Sequence, residues 1–171
     1  MENFKPNGLP LLIGSLPMDS HEKATKLVLE HTPDIPLWVQ LPHNREEGMI
    51  PQFLPGLPGF SHDSGKNLLD TSKPEFDEEF LAFFEEYLSV TESGADLGTS
   101  RFALSGTRGK GFFEFLKQID EKNRPFIALK GQVTGPITFG TAVKDENNKD
   151  IFYNDLLKDA ATKKLARNAR W

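Results

Sequence analysis

A strand–helix–strand pattern in the first 41 residues constrains this chain more than any other feature. Leu9-Pro-Leu-Leu-Ile13 is a short apolar run closed by Gly14-Ser15, the length and boundary of a buried parallel strand. Asp19 and Ser20 then offer N-cap oxygens, and Asp19 with Glu22 has capping-box spacing. Ala24, Leu27, Val28 and His31 share one helical face, on which His31 reads as structural, and Thr32-Pro33 ends the helix. Pro36-Leu-Trp-Val-Gln-Leu41 supplies a second strand. Strand, helix and strand in this order make a βαβ unit, which implies an α/β fold with parallel strands and crossover helices.

From 42 to 75 the pattern gives way to a long loop at the substrate side of the strands. Pro and Gly recur in Phe53-Leu-Pro-Gly-Leu-Pro-Gly-Phe60, and loops of this length in compact domains are usually functional. Met49, Ile50, Phe53, Leu54, Leu57 and Phe60 need cover, so this is not a plain linker. The clearest helix follows, with Phe76, Phe80, Phe83, Phe84, Tyr87 and Leu88 in one stripe and Asp77, Glu78, Glu79, Glu85 and Glu86 opposite. Such an aromatic stripe reads as core. Gly94 and Gly98 precede a short predicted strand at Arg101-Phe-Ala-Leu104, and a Gly-rich turn leads into a helix carrying Phe112, Phe113, Phe115, Leu116 and Ile119. Pro125-Phe-Ile-Ala-Leu129 is the next predicted strand, and Pro136 after Gly135 is placed to open a helix, where its missing N–H is no loss. Residues 144–150 read as an exposed charged turn. A last amphipathic helix starts near Asn154 and is still helical in pattern at Trp171, with no Gly, Pro or cap. The expectation is that the chain stops inside a helix. No internal repeat is visible.

The chain of 171 residues is long enough for one domain with a real core, and residues 1–171 are read as a single domain. A net charge of -5 excludes the basic face that a nucleic-acid partner favours. The absence of cysteine excludes disulfides, thiolate metal sites and a Cys nucleophile within these residues. Met1-Glu-Asn-Phe-Lys-Pro6 has no basic region followed by a long apolar stretch. No run approaches the roughly 20 apolar residues that span a bilayer. A cytoplasmic protein without nucleic-acid or membrane partners is expected.

In parallel α/β folds ligands bind at the carboxyl ends of the strands. Those positions hold Ile13, Gly14 and Ser15 after the first strand, and Gln40 with His43, Arg45 and Glu46 after the second. After the later strand come Lys130, Gln132 and Thr134. Each also has a plain reading: Gly14-Ser15 as a strand-ending turn, His43 as a surface histidine, Arg45 with Glu46 and Glu47 as an exposed charge cluster, Thr134-Gly135-Pro136 as a strand-to-helix turn. Among His21, His31, His43 and His62, no two share helix-face ligand spacing, so no self-contained zinc site can be assembled and no metal ligand is assigned. A Ser-His-Asp triad through Ser15 and His43 lacks a nucleophile elbow. No catalytic residue is assigned.

Taken together, three of these motifs resemble a known family. Leu12-Ile-Gly-Ser-Leu-Pro17 is similar to the Ile-Gly-Ser-Phe-Pro segment of the C-terminal barrel of cobalamin-independent methionine synthases. Met49-Ile-Pro-Gln-Phe53, followed by Leu57-Pro-Gly-Phe60, resembles the segment after that barrel's second strand. Val133-Thr-Gly-Pro-Ile-Thr138 is similar to its Thr-Gly-Pro-Val-Thr segment. The resemblance spans residues 12–138 and reaches into the methionine synthase and uroporphyrinogen decarboxylase superfamily. It implies the N-terminal half of a (β/α)8 barrel, which as a whole needs about 200 to 250 residues, so an incomplete barrel is expected. It also implies methyl transfer to a small thiol such as homocysteine, held as thiolate by zinc. The zinc ligands are expected beyond residue 171, so that these residues alone are inactive.

By motif, Ile13, Gly14 and Ser15 carry over as contacts to the amino-acid part of the thiol. Where the family has an acidic residue for the substrate's ammonium, this chain has His43, with Arg45 and Glu46 close by. That departure leaves open another thiol, an anionic substrate, or the decarboxylase branch, which binds carboxylated tetrapyrroles with arginines. Gln132 and Thr134 complete the expected substrate-binding set. From another class, the chain could serve as a non-catalytic, partner-dependent binding module. An open half-barrel would expose a strand edge, through which self-association is expected.

Overall fold

A computed structural model describes residues 5, 7–61, 67–122 and 125–171. His62 and residues 1–4 and 6 of the N-terminal reading lie outside the described residues. Five helices and two short parallel strands make a mixed α/β chain among those described: α1 His21–His31, α2 Phe76–Glu92, α3 Lys110–Lys122, α4 Pro136–Ala142 and α5 Asp155–Arg170, with β1 Leu68–Leu69 and β2 Lys144–Asp145. No helix among them is long and apolar enough to cross a membrane. The chain divides into two compact units. The first comprises residues 1–48 and 106–132, the second residues 49–105 and 133–171.

The first unit is built on three extended segments held by isolated parallel bridges. The amide of Gln40 donates to the Gly14 carbonyl (2.9 Å), and the amide of Leu16 to the Gln40 carbonyl (3.1 Å). On the other edge, the Lys130 amide donates to the Pro36 carbonyl (2.9 Å). Residues 36–41 therefore lie between 14–16 and 127–130, with Ser15 facing Gln40 and Leu37 facing Lys130, both parallel. The first predicted strand is displaced: Leu11, Leu12 and Ile13 are exposed, and pairing begins only at Gly14 and Ser15. Of its apolar run only Leu9 is half-buried.

Helix α1 begins at Ser20, whose hydroxyl accepts the Lys23 amide (3.3 Å). Ser20, not Asp19, thus fills the cap position, leaving the Asp19–Glu22 pairing unused. At the other end the Thr32 hydroxyl donates to the Val28 carbonyl (2.9 Å) and closes the helix. Ala24 and Val28 pack with Leu37, Val39 and Leu41, while Leu29 meets Trp38 and Phe115 of α3. His31 is exposed, contrary to its reading as a packed residue. It sits in the last turn, beyond the apolar face.

The second unit holds the larger core. Phe76 and Phe83 of α2 are buried and join Phe53, Leu54, Leu57, Phe102, Phe139, Ile151, Leu157 and Leu165. The aromatic residues of the stripe pack in or against this core, as their spacing predicts, while Leu88 at its end is exposed. Phe80 and Phe84 lie 4.8 Å apart between ring centroids, Phe83 and Phe102 5.4 Å. The apolar residues of the long loop are covered here: Ile50, Phe53, Leu54 and Leu57 are buried, although Met49 is exposed. Pro136 opens α4 and the Asn154 side chain caps α5 through the amides of Leu156 and Leu157 (3.1 and 3.2 Å). The charged turn at 144–150 closes an antiparallel bridge between Lys144 and Asp150, and Asp145 inside it is buried, accepting the amides of Asn147 and Lys149.

Candidate functional site

The carboxyl ends of the three parallel segments in the first unit carry a connected set of polar groups. Gly14 sits there with φ +147°, a conformation open to glycine and strained for other residues. A Cβ at this position would also come within 2.6 Å of the Gln132 side-chain amide carbon. The backbone conformation therefore favours glycine in the Ile13-Gly14-Ser15 motif, and any Cβ there would have to turn the flexible Gln132 amide aside. The Gln132 amide nitrogen donates to the Trp38 carbonyl (3.0 Å) and reaches the Gln40 side-chain oxygen (3.4 Å), while its oxygen accepts from Lys130 Nζ (3.3 Å). Lys130 Nζ also donates to the Ile13 carbonyl. Partial burial pushes the Lys130 ammonium below its ordinary range, because desolvation disfavours the charged form.

The remaining predicted residues are disposed differently. Ile13 is 89% exposed and Ser15 is exposed, so their side chains face outward beside the buried Gly14. His43, Arg45 and Glu46 are exposed on the loop after the central segment, where Arg45–Glu47 forms a 3-10 turn. Glu46 lies 3.7 Å from the guanidinium of Arg108. Thr134 belongs to the second unit, is buried, and donates its hydroxyl to the Met49 carbonyl (2.6 Å). Its observed role is to tie two backbone segments of that unit together.

Glu47 is the residue that sequence reasoning misplaced. Grouped with Arg45 and Glu46 as an exposed cluster, it is only 2% exposed. Its carboxylate accepts the Leu41 amide (3.1 Å), the Asn44 side-chain amide (3.0 Å) and His21 Nε2, which stands 2.8 Å from both oxygens. His21 opens α1 and Glu47 follows the central segment, so both stand at the carboxyl ends of the parallel segments. Helix α3 closes against this point: a Cβ on Gly111 would run into the Val39 carbonyl and approach His21 Cδ2 to 3.5 Å. The available signal was the Asn44-to-Glu47 spacing, which suits a single tight turn that brings the acid back toward the strand. Nothing in the local composition marks His21.

No group of three or more His, Cys, Asp or Glu side chains able to hold a metal occurs among the described residues. Comparison with known proteins adds no assignment: no family model, no curated protein and no solved structure matches the chain.

Proposed function

We propose that this chain forms the substrate-amino-acid face of a methionine-synthase-like methyltransferase, its parallel segments being early strands of a (β/α)8 barrel. The observation that carries the reading is the fit of Gly14 against Gln132. This fit joins the Ile-Gly-Ser motif to the end of the third parallel segment, 118 residues away in sequence (132 − 14). A glycine at φ +147° beside a Gln132 amide that is hydrogen-bonded to the central segment, with Lys130 bridging Gln132 and the Ile13 carbonyl, ties the motif to another strand end. Lys130 and Arg45 match the carboxylate of an amino acid, and Glu46 its ammonium group. The zinc that the resemblance implies finds no ligand group among the described residues. A second reading, a face for carboxylated tetrapyrroles, draws on the exposed Arg45 and on the absence of an acid at His43.

Calorimetric titration separates the two. Saturable binding of L-homocysteine, lost in Gln132→Ala, is the expected result. Binding of coproporphyrin with no heat from homocysteine would favour the tetrapyrrole reading. Silence toward both ligands would favour a non-catalytic module.

A further inference from the structure

Glu47 and His21 form a pair that the substrate-face reading does not use. The carboxylate is buried and takes a backbone amide, a side-chain amide and an imidazole nitrogen. A carboxylate accepts and does not donate, so the Nε2 that bridges its two oxygens carries a proton whatever the charge of the ring. Protonation then changes at Nδ1 alone. Among the described residues Nδ1 has no hydrogen-bond partner, and the His21 side chain retains 16% exposure. Ring orientation fixed by a buried carboxylate, with the second nitrogen left as a lone pair, is the arrangement that prepares histidine to take a proton. On its Cδ2 side the ring faces Gly111, where a Cβ would stand 3.5 Å away, in ordinary van der Waals contact.

The geometry points to His21 as the group that takes the proton from the thiol of the substrate at this face, with Glu47 as the positioning residue that holds its ring. The proposal rests on the thiol reading above. In the step, the S–H bond breaks, its electron pair stays on sulfur as thiolate, and the proton forms the Nδ1–H bond. The resulting imidazolium lies against the Glu47 carboxylate, which stabilises it.

Long-range proton–nitrogen spectra of the imidazoles of the whole chain test this, with His21→Gln assigning the His21 signals among those of the four histidines. Without ligand, Nε2 is expected protonated and Nδ1 bare. Adding L-homocysteine is expected to move the Nδ1 resonance to the protonated position, whereas S-methyl-L-cysteine, which has no thiol proton, leaves it unmoved. Calorimetric binding of homocysteine with Nδ1 unchanged overturns the proposal and leaves the thiol reading standing. A ligand-free ring protonated on Nδ1 and bare on Nε2 overturns it as well. Failure of homocysteine to bind removes the thiol reading and this proposal with it. Glu47→Gln, where it folds, is expected to mix the tautomers and abolish the shift, and the wild-type titration does not depend on that variant.

Discussion

Lys164 is 2% exposed inside the second unit, and its ammonium donates to the Arg101 carbonyl (2.6 Å). The Phe102 ring lies 5.6 Å from Nζ. Burial first, and the Arg101 charge second, push its pKa down to about 7, with Glu86 acting in the opposite sense. In the unfolded chain the same group keeps its proton up to its ordinary value of 10.5. Between about 7 and 10.5 the unfolded state therefore binds more protons than the folded one, and stability must rise with pH across that window. Below pH 7 both states are charged and the full penalty of burying the ammonium is present. Lys164→Met removes the penalty but orphans the Arg101 carbonyl, which takes back about 1–3 kcal/mol. The variant is expected to be more stable than wild type at pH 7 by on the order of 1 kcal/mol or more, and to lose the rise toward pH 10. Urea unfolding at pH 7 and pH 9.5 measures both effects, and a wild-type stability that is flat over the window would contradict the argument.

At the scale of elements, the helices, the central segment 36–41 and the segment ending at Lys130 were readable, whereas β1, β2 and the segment from Arg101 were not, for reasons visible in particular residues. Periodicity along α2 is set by aromatic side chains, buried at Phe76 and Phe83 and partly buried at Phe80, Phe84 and Tyr87, that pack in one core, so the stripe from Phe76 predicted the helix. Arg101–Leu104 has the composition of a strand, yet apart from the Ala103 amide, which turns back to the Ser100 carbonyl (3.1 Å), its described backbone partners are side chains. Glu86 accepts the Arg101 amide (2.7 Å), Lys164 and Asn168 donate to the carbonyls of Arg101 and Phe102, and Ser100 accepts the Phe102 amide (3.2 Å). With those groups satisfied, no ladder is needed, and no sequence pattern announces partners about 15 to 66 residues away. The site was half legible for a related reason. Motif and strand-end position led to Gly14 and Gln132, but burial of Glu47 depends on a tight turn and on α1, which local charge does not encode.

The same dependence gives a prediction for α3. Gly111 lies where its helix meets the Val39 carbonyl, so Gly111→Ala must push the helix off the central segment. Overpacking of this kind typically costs about 1–3 kcal/mol, and a contact with backbone cannot be relieved by a rotamer change. A melting temperature lowered by several degrees is expected, although alanine is the better helix former. A variant as stable as wild type would mean that α3 does not seat as described.

Neither unit is continuous in sequence, and that governs how the molecule comes together. The chain leaves the first unit after Gly48, builds most of the second, returns for residues 106–132 and leaves again. Helix α1 is 11 residues long, below the roughly 12–15 at which an isolated helix is even marginal in water. Its buried face needs the central segment, and Leu29 needs Phe115 and Trp38. The Pro36 carbonyl of the central segment needs the Lys130 amide, and the Asp34 carbonyl needs that of Ile127 (3.0 Å). Residues 1–48 therefore hold the motif and His21 with Glu47 and its partners Leu41 and Asn44, but not the segments that pack against them; Gln132 and Gly111 arrive only with the second visit. In the whole chain, the amides of α1 are expected to be protected from hydrogen exchange. In a fragment of residues 1–105 the same amides should exchange at the rate of an unstructured peptide, because the long-range contacts that repay closing the chain are gone. Retained protection in that fragment would show that α1 and the central segment stand without α3. The His21–Glu47 pair would then assemble from local sequence alone.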